Sequence, residues 1–347
     1  LRDNLCLSRG MVEDFDEMLK VLDGLASFFE RRSRREPESG ERYRETAAFI
    51  NWLLSDNFVF MGLVSAEGRF GFEQEKLQHL AVAISERKWA KGAWSDLPIR
   101  VRKSVQESPV HRSGRIDEVM IRVPGKNGSD ATEVLIRGMF TYRAVTQPSR
   151  HVPVLRKVLA DILSVDHSRP GSWRYKGMAN VFDSLPTEFL FTASREQIGS
   201  IIDRVLDAEA EQSTGVHFVQ NPAGEVSFVL AAMPKSQYSD AICSEMQDIL
   251  TQATGATYAD HGVFVGRYDT VLAHFFLTGS MKLRKKDLDA VQSRLVDLAT
   301  PWERRLHAEI LADQGEIVAD ALSERYQNAF VGLYLQRISP KRSYRDL

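Results

Sequence analysis

The chain has 347 residues, of which 43% are hydrophobic and 27% charged, and its formal net charge is −2. This near-neutral charge gives no electrostatic basis for binding nucleic acid or an anionic membrane surface. No apolar run reaches the ~20 residues needed to span a bilayer. The length predicts two or three domains. Two cysteines, Cys6 and Cys243, are too few for a disulfide framework, which favours a reducing cytoplasm.

The first residue is Leu rather than Met, so we expect the chain to be part of a longer protein. Apolar residues spaced alternately by four and three positions then predict one long helix: Met11, Phe15, Met18, Leu22, Leu25 and Phe29. About three heptads are too few to demand a coiled coil, so we favour a helix packed on its own domain. The basic run at 31–35 is followed at once by Glu36, and we interpret it as a solvated helix end.

The following stretch predicts an antiparallel sheet with helices on one face. A short helix with Ala47 and Ile50 facing inward precedes strand candidates at 58–64, 99–103, 118–123 and 133–145, with a hairpin loop at 125–128. The polar segment 73–97 allows no assignment. A helix over 153–163 has Pro153 in its first turn. The Pro/Gly-containing linker at 168–171 is the most distinct domain boundary.

Residues 185–280 show the clearest order of elements. A strand at 185–193 leads into a helix with the capping box Ser194 and Gln197. Two strands joined by a hairpin loop at 221–224 follow, then a helix from Ser239 to Gly255, then two further strand-like runs. This order predicts the ferredoxin-like βαββαβ plan with one strand added. The plan hosts ligand-binding, RNA-binding and metal-carrying proteins, so it does not name a function.

Only helical patterns follow this unit, and the last pattern stops before Pro340. We therefore predict an α+β protein in which an antiparallel-sheet domain is followed by the ferredoxin-like domain and a helical C-terminal segment. The predicted boundaries are 1–45 for the long helix and linker, 46–167 for the antiparallel-sheet domain, 172–281 for the ferredoxin-like domain and 282–347 for the helical segment.

The sequence lacks the common motifs for nucleotide and metal binding, such as a Gly-rich phosphate loop or paired Cys and His residues. Ser108, His111 and Asp117 lie close in sequence, but neighbours on a loop seldom converge as a nucleophilic triad. A loop that hydrogen-bonds its own backbone through Ser108 and Asp117 is the plainer interpretation. His217, His261 and His274 lie on predicted strands; they could share a metal, although ordinary hydrogen-bonded histidines are far more common.

RNA binding is the main alternative on fold grounds, because RNA-reading sheets stack bases on strand aromatics. The strand around Phe228 carries one aromatic residue where that motif has three, which counts against RNA binding.

Several short stretches, each weak alone, become informative through their order along the chain. They are Phe-Ile-Asn-Trp-Leu-Leu-Ser-Asp-Asn-Phe-Val-Phe-Met-Gly at 49–62, Ser-Pro-Val-His-Arg at 108–112 with Asp117, Arg-Gly-Met-Phe-Thr at 137–141, Val-Pro-Val-Leu-Arg-Lys at 152–157, Leu-Pro-Thr-Glu-Phe-Leu-Phe at 185–191 and Met-Pro-Lys-Ser-Gln-Tyr at 233–238. In this order they resemble the N-terminal, non-catalytic region of the large bacterial NAD-specific glutamate dehydrogenases.

The resemblance implies that residues 185–280 are the second of the family's ACT-type domains, a class that often binds amino-acid effectors. The first would precede Leu1, and the dehydrogenase domain would follow Leu347. The parent enzyme would use NAD to interconvert glutamate with 2-oxoglutarate and ammonium. This segment would contain no catalytic residue, cofactor or metal of its own. Charges that the family carries after two prolines are replaced here by Thr187 and by Lys235-Ser236.

In ACT-type units the ligand usually lies near the first strand-to-helix loop, which here is Thr192, Ala193 and Ser194. Hydroxyls and free N–H groups at a helix start favour a carboxylate. The plainer alternative is that Ser194 only caps its helix.

The partners that we expect are the downstream catalytic domain of the same chain, further copies in a homo-oligomer and an amino-acid effector, with no nucleic acid or membrane. Two other functions remain open: a stand-alone ACT-type module that binds a small molecule, and a scaffold without ligand.

Overall fold

The structure of the chain is a computed structural model, and it describes residues 2–74, 97–108, 110, 114–125, 131–220, 226–265, 269–279, 281–326, 329–330, 334 and 338–346. The predicted hairpin loop at 221–224, most of the loop at 125–128, most of the segment 73–97 and His111 lie outside these residues. The chain divides into two compact units, Leu1–Asp203 and Arg204–Leu347.

The first unit opens with three helices: α1 (Arg2–Glu13), α2 (Phe15–Arg35) and α3 (Gly40–Trp52). The single helix predicted over 11–29 is divided at Asp14, whose carboxylate accepts the N–H of Gly71 at 2.8 Å. From Met18 onward the apolar stripe of α2 is buried, with Met18, Leu22 and Phe29 fully covered, whereas Phe15 at the start of the helix is 43% exposed. Helix α2 packs along α3. The stripe therefore serves the helix's own unit, as expected.

Among the described residues, five strands form the sheet of the first unit: β1 (Phe58–Ser65), β2 (Gly68–Gly71), β3 (Ile99–Glu107), β4 (Arg115–Val123) and β5 (Thr132–Phe140). Their order is β2-β1-β5-β4-β3, and every neighbouring pair is antiparallel. The prediction of an antiparallel sheet is confirmed. The predicted strand 133–145 ends earlier, because Thr141 accepts the N–H of Ala144 at 3.3 Å and starts the short helix α4 (Tyr142–Thr146).

Four more helices follow: α5 (Leu155–Val165), α6 (Trp173–Ser184), α7 (Thr187–Thr192) and α8 (Arg195–Glu211). The helix predicted from Pro153 begins two residues later, because Val154 has a φ of 74° that no α-helix accommodates. Helix α8 carries an apolar stripe at the helical period that is fully buried, and its members are Ile198, Ile201, Ile202, Val205 and Leu206.

The strand predicted over 185–193 was wrong, since these residues form α7. A short apolar run fits a strand and a buried helix equally well from periodicity alone. Pro186 precedes the first helical residue, where its missing N–H costs nothing. The helix buries Phe191 in an aromatic cluster, where its ring stacks on Phe140 at 5.2 Å and contacts Phe49 at 5.6 Å. Tertiary packing of these rings thus selects the helix.

In the described part of the second unit, four strands form a second antiparallel sheet: β6 (Gly215–Gln220), β7 (Val226–Pro234), β8 (Tyr258–Val265) and β9 (Thr270–Thr278). Helix α9 (Asp240–Thr254) lies between β7 and β8 in sequence. As predicted, the Ser239 side chain caps α9, and Gly255 ends it in the left-handed conformation with a φ of 64°. The strand order is β6-β7-β9-β8.

This order corrects the predicted βαββαβ plan. In that plan the leading strand lies inside the sheet; here the last strand, β9, takes the inner place beside β7. One face of the sheet packs on α9 and on α10 (Lys285–Ala299), which contributes Leu295 and Ala299 to the same core. The elements β6, β7, α9, β8, β9 and α10 therefore follow the ferredoxin-like sequence of elements started at its second strand.

The remaining helices are α11 (Trp302–Gln314), α12 (Glu316–Tyr326) and α13 (Pro340–Asp346). Trp302, Leu306, Ile310 and Ala319 form a separate small core. Within the described residues, every helix is too short or too polar to cross a lipid bilayer.

Candidate functional site

The predicted effector loop joins α7 to α8 rather than a strand to a helix. The Thr192 hydroxyl donates to the Phe189 carbonyl at 3.1 Å, and the Ala193 N–H donates to the same carbonyl at 2.9 Å. Ala193 is buried, whereas Thr192 is exposed. The first two residues of the loop are thus bonded to the end of α7.

Ser194 and Gln197 form the capping box that the sequence predicts. The Gln197 N–H donates to the Ser194 hydroxyl at 3.2 Å, and the Ser194 N–H donates to the Gln197 side-chain oxygen at 2.8 Å. Two of the N–H groups at this helix start are satisfied reciprocally in this way.

Glu196 adds a carboxylate of the chain's own to the same helix start. Its own backbone N–H, and then the Ser194 hydroxyl, hold the pKa of the Glu196 carboxyl below its ordinary value. A negative group there is favoured by the helix dipole. Any effector carboxylate at Thr192, Ala193 and Ser194 would have to share or displace this interaction. The geometry is that of a capped helix start, and the effector role remains a prediction.

Two of the three strand histidines lie on opposite faces of the second sheet. His261 Nδ1 lies 2.5 Å from the Gln247 side-chain oxygen, and its ring centroid is 6.0 Å from that of Phe275. His274 immediately precedes Phe275 on the same strand, so its side chain points to the other face of the sheet, where its ring stacks on Phe228 with the centroids 6.1 Å apart. The pair therefore cannot share a metal ion.

His217 is separated from His274 by a whole strand, because both residues are register neighbours of Leu230 on β7. Burial lowers the pKa of His217 to about 4, and the charge of Arg204 acts in the same direction. In the part of the chain that the structure describes, no group of three or more His, Cys, Asp or Glu side chains is arranged to hold a metal.

Of the two side chains expected to hydrogen-bond the backbone of the loop at 108–117, Ser108 does so and Asp117 does not. The Ser108 hydroxyl donates to the Val110 carbonyl. Asp117 lies on β4, not on the loop, where its carboxylate accepts the Phe140 N–H at 3.0 Å and pairs with Lys103 at 2.8 Å. Asp117 is committed to these bonds within the sheet.

A buried charged cluster in the first sheet was missed at the sequence level. Arg137 is only 2% exposed, and its guanidinium contacts Glu73 at 2.5 Å and Gln106 at 2.5 Å. Its Nε lies 3.3 Å from Glu118 Oε1, an ion pair without hydrogen-bond geometry. The guanidinium carbon Cζ lies 4.9 Å from the centroid of the Phe72 ring, a cation–π contact. The available signal was a lone charge inside the apolar run of β5.

Two family models match successive parts of this chain. A family model described as glutamate dehydrogenase, helical motif 1, matches residues 152–211, which contain α5 to α8. A second, described as glutamate dehydrogenase, ACT2 domain, matches residues 219–303, which run from the end of β6 through α10. The chain is similar to a segment of the large NAD-specific glutamate dehydrogenases. The resemblance predicted from the sequence is confirmed.

Three curated proteins similar to this chain are each named NAD-specific glutamate dehydrogenase. The NAD-specific glutamate dehydrogenase of Halomonas elongata is 23% identical over an alignment that covers 98% of this chain and 22% of the relative. That of Pseudomonas aeruginosa is 21% identical with the same coverage. That of Mycobacterium tuberculosis is 21% identical over 60% of this chain and 14% of the relative. The chain thus spans about a fifth of the length of the first two relatives.

Proposed function

We propose that this chain is a non-catalytic regulatory and assembly segment of an NAD-dependent glutamate dehydrogenase. The parent enzyme would oxidise L-glutamate with NAD and water to 2-oxoglutarate, ammonium and NADH. The observation that supports this most is the succession of helical motif 1 and ACT2 domain matches in a chain that aligns over 98% of its length with such an enzyme. The dehydrogenase domain would lie in the remainder of the parent chain.

The ACT-type unit of this proposal consists of β6, β7, α9, β8, β9 and α10. Support comes from the match at 219–303 and from the shared core of Leu277 on β9, Met246 on α9 and Leu295 on α10. The helices at 152–211 would then be a connecting motif that precedes the ACT-type unit. The predicted boundary between 281 and 282 separates β9 from α10, although both contribute to one core.

An amino-acid effector at Thr192, Ala193 and Ser194 remains part of the proposal. Its support is a helix start that already attracts the Glu196 carboxylate. Calorimetry on the parent enzyme with the common amino acids tests it. If the loop binds the effector carboxylate, Glu196→Gln removes a competitor and tightens binding, whereas Ser194→Gly weakens binding while keeping most of the capping stability. Unchanged affinity in both variants would assign the loop to structure alone.

Further copies of the chain and the catalytic domain are the partners that we propose, in a cytoplasmic enzyme. Helix α1 exposes the apolar side chains of Leu5 at 61% and Val12 at 78%, and bare apolar side chains grouped on one element often mark interfaces. Cys6 and Cys243 are both free thiols, which fits a reducing compartment.

The open reading frame that encodes this segment, followed by assay of its full product, tests the proposed function. We expect a gene several times longer than this segment, whose product forms NADH from glutamate, while the purified 347-residue chain does not. A stop codon close to Leu347 would instead favour the stand-alone ACT-type module. NADH formation by the segment itself would contradict the non-catalytic assignment.

A further inference from the structure

Val154, just before α5, has an unusual backbone conformation. Its φ is 74° and its ψ is −57°, the geometry of a strained γ-turn. A β-branched residue with positive φ is a genuine outlier, and Val154 is fully buried. Such a conformation persists only where the surroundings hold it in place.

One carboxylate provides that restraint. Glu45 Oε2 on α3 accepts the Val154 N–H at 2.9 Å. The same carboxylate accepts hydrogen bonds from Arg156 Nη2 at 2.7 Å and from Arg156 Nε at 3.1 Å, which makes a bidentate ion pair. The Glu45 side chain is 14% exposed and that of Arg156 44%. Glu45 therefore fixes both the strained peptide and the first turn of α5 to α3.

The turn has a defined place in the fold. It follows the five-stranded sheet and α4, and the match to helical motif 1 begins here, at residue 152. The first amides of the helix bond across the turn, since the Arg156 N–H donates to the Val152 carbonyl at 3.0 Å and the Val158 N–H donates to the Val154 carbonyl at 2.9 Å. A change at Val154 thus reaches the start of α5 directly.

We propose that residues 152–155 form a hinge and that Glu45 is its latch, meaning the side chain whose hydrogen bonds hold the strained turn and the start of α5 against α3. With Glu45 engaged, the strained turn is closed and α5 starts at Leu155. With Glu45 released, the turn relaxes and the first turn of α5 opens. This inference rests on the contacts of Glu45 and Val154 and does not depend on the proposed enzyme.

The strain is tested by comparing Val154→Gly with Val154→Ala in the 347-residue chain. Both remove the buried isopropyl group, but only Gly adopts this φ and ψ without strain. Gly normally lowers stability relative to Ala through backbone entropy. We expect the reverse here, with the Gly variant melting at a higher temperature than the Ala variant. A lower melting temperature for the Gly variant would show that the turn stores no strain.

The latch is tested by native-state hydrogen exchange of Glu45→Gln. We expect the Arg156 and Val158 amides to exchange about tenfold faster or more, because a hydrogen-bonded charge pair is lost. Asp166→Asn is a matched control: its pair with Arg174 has side-chain exposures of 14% and 43% and a contact of 2.8 Å. Asp166→Asn should accelerate exchange of the Lys176 amide by a smaller factor than Glu45→Gln accelerates exchange of the Arg156 and Val158 amides.

A double variant separates a latch from an ordinary ion pair. If Glu45 holds strain, Glu45→Gln should accelerate exchange much less in the Val154→Gly background than in the wild type. Equal acceleration in both backgrounds would overturn the proposal, as would Glu45→Gln acceleration no larger than that of Asp166→Asn. Glu45→Gln and Asp166→Asn preserve the shape of the side chain, so circular dichroism should show that both variants are folded.

Discussion

The two antiparallel sheets of this chain have interiors of different chemistry. Among the described residues, all buried Asp, Glu, Lys and Arg side chains belong to the first unit: Glu73, Asp117, Glu118 and Arg137. The face of the second sheet toward α9 and α10 is apolar, with Val229, Phe275 and Leu277 completely covered. The first sheet therefore combines hydrophobic burial with ion pairing, whereas the second relies on packing.

This difference predicts different weaknesses. A buried charge is tolerated only while its partner is present, because removing one partner leaves the other desolvated and unpaired. The partners of Arg137 come from positions far apart in sequence, such as Glu73 and Glu118. An apolar core loses free energy in proportion to the cavity that a substitution leaves. Single substitutions in each sheet test the comparison.

The largest effect should come from Arg137→Met. It leaves Glu73 and Glu118 buried with less compensation, and we expect a loss of about 3–5 kcal/mol in the free energy of unfolding. Urea unfolding followed by circular dichroism measures it. Arg102→Met is the control, because Arg102 pairs with the same Glu118 at 2.6 Å but is itself 42% exposed; Glu118 keeps Arg137 nearby, so the loss should be clearly smaller than that of Arg137→Met. Equal losses would contradict the importance of burial.

Leu277→Ala probes the second sheet by cavity formation alone. Leu277 is fully buried in the shared core, and we expect a loss of about 2–5 kcal/mol. Phe264→Ala on the edge strand β8 serves as the control, because Phe264 is 43% exposed and its truncation should cost much less. A loss below about 1 kcal/mol for Leu277→Ala would mean that this core is not tightly packed.

Acid should affect the second sheet through His217. The folded state keeps His217 neutral with a pKa of about 4, against an ordinary value of 6.5. The unfolded chain therefore takes up a proton first as the pH falls, so stability is lost between pH 6.5 and pH 4. We expect His217→Gln to reduce this acid loss by about 1–3 kcal/mol. Unfolding curves at pH 7 and pH 4.5 measure the difference; identical acid losses would exclude the buried neutral histidine.

The smallest effect should come from Gly262→Ala on β8. A Cβ at this position would lie 2.6 Å from the His274 ring, which covers the glycine. The ring can turn away, so we expect a loss of about 1 kcal/mol, at the low end of overpacking. The double variant with His274→Ala should recover the part of the loss that arises from the clash. If the two single losses simply add, the ring is not the obstacle.

Features that depend on nearby residues were predicted correctly. The capping box of Ser194 and Gln197, the cap at Ser239 and the left-handed stop at Gly255 each involve groups a few residues apart. The buried stripes of α2 and α8 follow from helical periodicity in the same way. The order of the matching stretches was also sufficient to recognise the family resemblance.

Features that depend on distant residues were decided by the tertiary structure. Residues 187–192 became a helix because Phe191 packs on Phe140, and β9 took the inner strand position because its hydrogen bonds go to β7. Periodicity records which side chains are apolar, but it does not specify the partner strand or the opposing ring. The buried pairing of Arg137 and the Glu45 contact with Val154 likewise join residues 64 and 109 positions apart. Such contacts exist only once the chain is folded, because the burial that makes them strong is itself produced by the fold.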